Sequence, residues 1–177
     1  MAARIEILIS GFGGQGVVRI GQILGQAAVN QGLYTTMLIS HGTETRGGYV
    51  RSQVVISDAF IDSPVVENPA YFCAFSPIAY GMFKHLCDRQ TLILHNPDLV
   101  TADPASDACH RAIAGETLAE RELGNAQYAN VIYLGVLSAH CGLLVPEHIV
   151  TAIRQRLPER SHENNIRAFE LGREYTL

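Results

Sequence analysis

IEILISGFGGQGVVRIGQILGQAAVNQG, residues 5–32, changes its hydrophobic period once, and the change is marked by glycines. Ile5 to Ile9 is a short, β-branched apolar run that stops at Ser10-Gly11, the pattern of a strand buried within a sheet. From Val17 the apolar positions Val17, Ile20, Leu24, Ala27 and Ala28 recur at helical spacing, and Gly32 is placed to cap the helix. Between strand and helix, Gly11-Phe12-Gly13-Gly14-Gln15-Gly16 satisfies G-x-G-x-x-G in the context that gives that motif meaning. Its glycines permit a tight turn and close backbone approach, and the free N–H groups and dipole at the helix start favour a phosphate or pyrophosphate. The same loop also reads as a sharp turn that binds nothing.

Outward from this unit, Leu33 to Ile39, Tyr49 to Ser57, Tyr71 to Phe75 and Thr91 to His95 read as strands bounded by Gly, Pro, Asp or Ser, with Arg111 to Ala114 a weaker one. Pro77 starts a helix to about Cys87. The C-terminal third is helical: Thr117 to Leu123 closed by Gly124, Ala126 to Cys141 closed by Gly142, a helix opening at Pro146, and a last one from about His162 to Leu171 that ends at Gly172. Alternating strands and helices imply an α/β, Rossmann-like fold: a mostly parallel sheet with helices on both faces and a helical C-terminal end. With 177 residues, 47% apolar and 17% charged, the chain reads as a single domain over residues 1–177.

Composition excludes several functions. A formal net charge of -4 leaves no basic signature for nucleic acid or anionic lipid, and no long uncharged apolar run reads as a membrane span or signal segment, so a cytoplasmic protein is expected. Cys73, Cys87, Cys109 and Cys141 are widely spaced, with no C-x-x-C, and read as free thiols. No H-x-x-x-H or H-E-x-x-H pattern occurs, so neither a metal ligand nor a catalytic residue is assigned.

The glycine loop also lacks the usual companions of nucleotide sites. Between Glu6 and Glu44 there is no acidic residue to hold a ribose, and no Gly-Lys-Ser/Thr follows Gly16. Ser40 to Gly48, SHGTETRGG, is expected beside the loop, on the reading that the first two strands are adjacent and parallel. Arg46 is the strongest single side chain there, because a guanidinium grips phosphate or carboxylate bidentately. Arg46 also reads as a surface residue paired with Glu44, and His41 as an ordinary loop histidine.

GFGGQG, then SHGTETRGGYVRSQVVISD and IDSPVV, resemble the gamma subunit of 2-oxoacid:ferredoxin oxidoreductases. ANVIYLGVLSAHCGLL is similar to that family's Asn-containing helix, and NNIRAFELG to its closing segment; together the blocks span most of the chain. The resemblance implies a subunit without activity of its own, joined to alpha, beta and often delta partners, in a complex that converts a 2-oxoacid and coenzyme A to acyl-CoA and carbon dioxide and passes electrons to ferredoxin. It implies that thiamine diphosphate, Mg and iron–sulfur clusters belong to the partner subunits, and that this chain lies on the coenzyme A side. The matching positions are Gly11, Gly13, Gly14, Gln15 and Gly16 in the loop, and Glu44, Arg46, Gly47 and Gly48 after the second strand, with Arg51 nearby; His41, also expected at the site, and Thr45 sit at positions that vary between subfamilies. Among oxoacids, 2-oxoglutarate is the first expectation, ahead of pyruvate, branched-chain and aryl 2-oxoacids. Two other readings remain: a stand-alone nucleotide- or flavin-binding oxidoreductase, and a purely structural subunit.

Overall fold

The structure is a computed structural model that describes residues 3–42 and 48–175. β1 (Arg4–Phe12) is buried from Ile7 to Gly11, as its apolar run requires. It turns at the glycines into α1 (Val17–Asn30), which buries Val17, Ile20, Ile23, Leu24, Ala27 and Ala28 on one stripe. Gly32 ends this helix at φ 80, with Leu33 N–H donating to Ala28 O and Gly32 N–H to Val29 O, the paired bonds of a glycine C-cap.

β2 (Tyr34–His41) and β3 (Tyr49–Ser57) follow, then β4 (Tyr71–Ala74), α2 (Pro77–Phe83), β5 (Leu92–His95) and β6 (Cys109–Ala112). The remainder is helical: α3 (Gly115–Leu123), α4 (Ala129–His140), α5 (Pro146–Arg156) and α6 (His162–Glu174). The six strands lie in the order β2-β3-β1-β4-β5-β6, and every pairing from β1 outward to β6 is parallel. β3 alone runs the other way, antiparallel to both β1 and β2.

The antiparallel strand corrects the expectation that β1 and β2 are neighbours. Only residues 42–48 separate β2 from β3, too few for the crossover of a dozen or more residues that a parallel return needs, so the two form a hairpin. The two strand ends that flank it nonetheless lie at the predicted edge, because the far end of β2 and the start of β3 meet the end of β1: Phe12 pairs with Tyr49, and Val50 with both Gly11 and His41.

The two faces are covered unequally. Ile7, Ile9, Val54 and Ile56 face a core built with α1 and the C-terminal helices, whereas Leu8, Val55, Phe72 and Ile93 face the short α2 and irregular segments that contribute Ile61, Val66 and Val100. α4 is buried almost all round, from Ala129 through Ser138. Several ends differ from expectation: α2 stops at Phe83 and gives way to a short 3-10 turn over Lys84–Leu86, β2 runs on to His41, and α4 starts at Ala129. β6 begins two residues earlier than predicted, and α6 runs through Gly172 instead of stopping there. Gly172 is a contact residue: a Cβ on it would strike the backbone of Ile132 and Gly135, so the glycine lets α6 cross α4 closely.

Candidate functional site

The loop after β1 is braced from inside by Gln15. Its Oε1 accepts from Phe12 N–H at 2.6 Å and its Nε2 donates to Phe75 O at 2.9 Å, tying the end of β1 to the end of β4. Gly11 is glycine because Gln15 Oε1 and Phe75 Cβ fill the space a side chain would take. Gly16, at φ 80, lies directly under the Asn130 side chain of α4 and has no room for a Cβ. Gly13 and Gly14 differ, being exposed with no neighbour near a Cβ position. Of these two only Gly14, at φ 92, needs glycine conformationally. The loop thus divides into a packed pair, Gly11 and Gly16, and an open pair that leaves backbone accessible.

α1 begins with no side-chain cap and no acidic residue in its first turn. Its first intrahelical donor bond is Ile20 N–H to Gly16 O, so the earlier N–H groups face outward unpaired by backbone. They open onto a groove of about 550 Å³, walled by Gly13, Gly14, Arg19, His41, Gln127 and Asn130. Arg19 and His41 both line it, one from α1 and one from β2.

Behind the loop lies a smaller cavity of about 230 Å³, lined by Gln15, Phe75, Glu116, Gln127, Asn130 and Tyr133. Gly14, Gln127 and Asn130 line both spaces. Tyr133 packs edge-on against Phe75, ring centres 5.0 Å apart, and donates its hydroxyl to Ile113 O at 2.9 Å. Burial, chiefly, with the nearby Glu116 carboxyl, pushes its phenol far above the ordinary range, so it stays neutral. Glu116 accepts from Asn96 Nδ2 at 2.7 Å. The outer groove is therefore cationic and donor-rich, and the inner cavity is aromatic and amide-lined with one carboxyl.

Gly11, Gly13, Gly14, Gln15, Gly16 and His41 are brought to one sheet edge, as predicted, with Gly48 just ahead of β3 at the same edge. Glu44, Arg46 and Gly47 lie outside the described residues. Arg51 is not beside the loop: its side chain crosses to the α2 face, its guanidinium carbon 5.1 Å from the centre of the Phe83 ring and Nη2 3.5 Å from Ser40 Oγ. It pairs with Ser10 between β1 and β2, and the alternation of the strand sends it away from Val50 and the groove. Sequence reasoning missed Arg19, Glu116, Gln127 and Asn130 as wall residues. Asn130 had a signal, a carboxamide inside the apolar run of α4; the others had none, since they converge only through the fold.

Residues 6–175 match the family described as pyruvate ferredoxin/flavodoxin oxidoreductase. The chain belongs to that family. Within it, the chain is 37% identical over 179 residues to 2-oxoglutarate synthase subunit KorC of Methanothermobacter marburgensis, covering 97% of this chain and 96% of that one. Its fold matches the keto/oxoacid ferredoxin oxidoreductase gamma subunit of Geobacter sulfurreducens PCA at a TM-score of 0.84 and 30% identity, over 95% of each chain. It also matches a 2-oxoglutarate:ferredoxin oxidoreductase of Magnetococcus marinus solved with 2-oxoglutarate, coenzyme A and succinyl-CoA bound, at a TM-score of 0.85 and 22% identity. That likeness covers 96% of this chain and 30% of the other, and is one of fold. This family member is a gamma-type subunit of a 2-oxoacid:ferredoxin oxidoreductase, as the sequence blocks implied. Among its described residues no helix is long and apolar enough to cross a membrane, and no group of three or more His, Cys, Asp or Glu gathers into a metal site.

Proposed function

We propose that this subunit serves the acyl-acceptor side of an oxidoreductase that converts 2-oxoglutarate and coenzyme A to succinyl-CoA and carbon dioxide, with ferredoxin taking the electrons. The observation that carries the reading is the juxtaposition at one sheet edge of the open backbone at Gly13 and Gly14, the uncapped start of α1, and the side chains of Arg19 and His41. Such an edge suits a phosphate-rich ligand: helix-start N–H groups and a guanidinium both favour phosphoryl oxygen. Coenzyme A carries a pyrophosphate and a 3′-phosphate, and needs no acidic ribose clamp, which β2 does not supply where it ends at Ser40-His41. Glu44, Arg46, Gly47 and Gly48 complete the same edge on the sequence reading. 2-Oxoglutarate is proposed because the near-full-length relative quoted above is a 2-oxoglutarate synthase subunit.

In this proposal the alpha, beta and delta partners hold thiamine diphosphate, Mg and the iron–sulfur clusters, which supply the decarboxylation and electron transfer. This chain binds and orients the acceptor and excludes water from it. Steady-state kinetics on the reconstituted complex test the reading, with coenzyme A and 2-oxoglutarate varied separately. Gly13→Val leaves the fold intact, having open space and no left-handed backbone, and places a branched side chain against the ligand path. Arg46→Ala removes a charge-assisted contact, about 1.5–3 kcal/mol, or roughly one to two decades in affinity. Both raise the KM for coenzyme A and spare that for 2-oxoglutarate; the reverse split contradicts the assignment.

A further inference from the structure

β2 is an open edge of eight residues, and the direction of its free hydrogen-bonding groups follows from its register. Gly42 N–H donates to Tyr49 O at 2.8 Å, so Gly42 and the even-numbered residues of β2 turn their backbone groups toward β3. In an antiparallel ladder the alternate residues turn theirs the other way. Thr35, Met37, Ile39 and His41 therefore present N–H and C=O groups outward, along a strand paired without a bulge from Tyr34 to His41. Nothing in its chemistry guards this edge: it carries no Lys, Arg, Asp, Glu or Pro, and Tyr34 and Ile39 are 53% and 43% exposed. The opposite edge, β6, has only four residues and carries His110 and Arg111.

The order of side chains along β2 decides what fits it. Thr35-Thr36-Met37-Leu38-Ile39-Ser40-His41 reads polar, polar, apolar, apolar, apolar, polar, polar, the same from either end about Leu38. A second copy laid antiparallel on this edge, with a two-fold axis through Leu38 and perpendicular to the sheet, sets opposite one another residues that share a face. Leu38 meets Leu38, Met37 meets Ile39, Thr36 meets Ser40 and Thr35 meets His41. The outward residues then all pair among themselves, giving about eight main-chain hydrogen bonds. Apolar side chains oppose apolar ones, polar oppose polar, and no like charges are brought together. The Thr35 and Thr36 hydroxyls, buried without a hydrogen-bond partner among the described residues, each lie opposite a residue with a polar side chain.

We propose that this chain pairs with a second copy of itself through β2, joining two six-stranded sheets into one with α1 of both copies on the same face. The occupant is a second copy because the register that uses every outward group is also the one that matches this polarity order to its own reverse. The net charge of -4 on each copy is no obstacle, since none of it lies on β2. A two-fold pair consumes the edge it uses, and the short, cationic β6 does not offer a second one, so the association closes at two copies. This interface is independent of the acyl-acceptor reading above.

Light scattering on the full chain is expected to show a dimer at micromolar concentration. Ile39→Lys, which sets a charge at an exposed position within the edge, should weaken that dimer about tenfold or more. Cysteine cross-linking reads the register, in a Cys109→Ser background because Cys109 is an exposed native thiol. Leu38→Cys should form an intermolecular disulfide under mild oxidation, since residues on the axis make a non-hydrogen-bonded pair with Cα atoms about 4.5 Å apart, within disulfide reach. Tyr34→Cys should not, because the two copies of that residue lie roughly 26 Å apart. Amide exchange tests the wild type without any substitution: Thr35, Met37, Ile39 and His41 should exchange more slowly as concentration rises, while Leu38 and Ser40, turned toward β3, stay slow throughout. A chain that remains monomeric overturns the proposal, as does a dimer that Leu38→Cys fails to cross-link. Slowing of the same amides only when the other subunits are added overturns it in favour of a partner strand.

Discussion

His95 ends β5 with 5% exposure and an Nδ1 that has no partner among the described residues. Its ring lies 5.9 Å from that of His110, which is held by Ala108 O and by the Tyr80 hydroxyl. Burial, above all, holds the His95 pKa below the ordinary histidine value, and His110 adds to the effect. The folded protein therefore keeps this ring neutral where the unfolded chain protonates it. Stability is complete above about pH 6.5 and is lost as pH falls below that value toward the folded pKa. Urea midpoints measured at pH 7.5 and 5.5 should fall with pH, and His95→Gln should reduce the slope. A residual slope is expected from His140, lowered by burial and by Arg111. At this scale the sequence is partly legible. Gly11 to Gly16 and His41 show their placement because a strand, a turn and a hairpin carry them locally. Arg51 does not, because its direction depends on a pleat whose register is set by pairing with strands on both sides.

Among elements, α4 and α6 show how much the fold demands of single positions. A Cβ at Gly135 would meet the backbone of Phe169, Gly172 and Arg173, and one at Gly172 that of Ile132 and Gly135. Backbone cannot rotate aside as a side chain does, so Gly135→Ala should destabilise by about 1–3 kcal/mol through overpacking. Chemical denaturation measures this; a neutral result would show that the helices do not cross so closely. Helix starts at Pro77 and Pro146 and the glycine ends at Gly32 and Gly124 were legible, since caps are local chemistry. Gly172 misled because a glycine near a helix end has two uses, termination and close crossing, and only the partner helix distinguishes them. The direction of β3 was available from loop length: residues 42–48 fit a hairpin and nothing longer.

Over the whole molecule, one edge of the sheet collects the chemistry, and another remains unpaired. β2 is an edge strand that carries no Lys, Arg, Asp or Glu, and it exposes Tyr34 and Ile39. Uncharged, unpaired edges of this kind are normally covered in the working protein, which accords with a component of a larger assembly. The family resemblance was legible across the chain because its blocks coincide with places where packing leaves little choice: the loop under Asn130, the hairpin beside it, and the crossing of α4 and α6. Its assignment to an enzyme complex makes the central claim testable in a single measurement, 2-oxoglutarate- and coenzyme A-dependent reduction of a viologen dye. The account predicts no reduction by this chain alone, coenzyme A-dependent reduction by the complex reconstituted with it, and loss of that dependence when it is left out. Oxoacid-dependent reduction by the isolated chain, or full coenzyme A-dependent activity of the partners without it, would contradict the account.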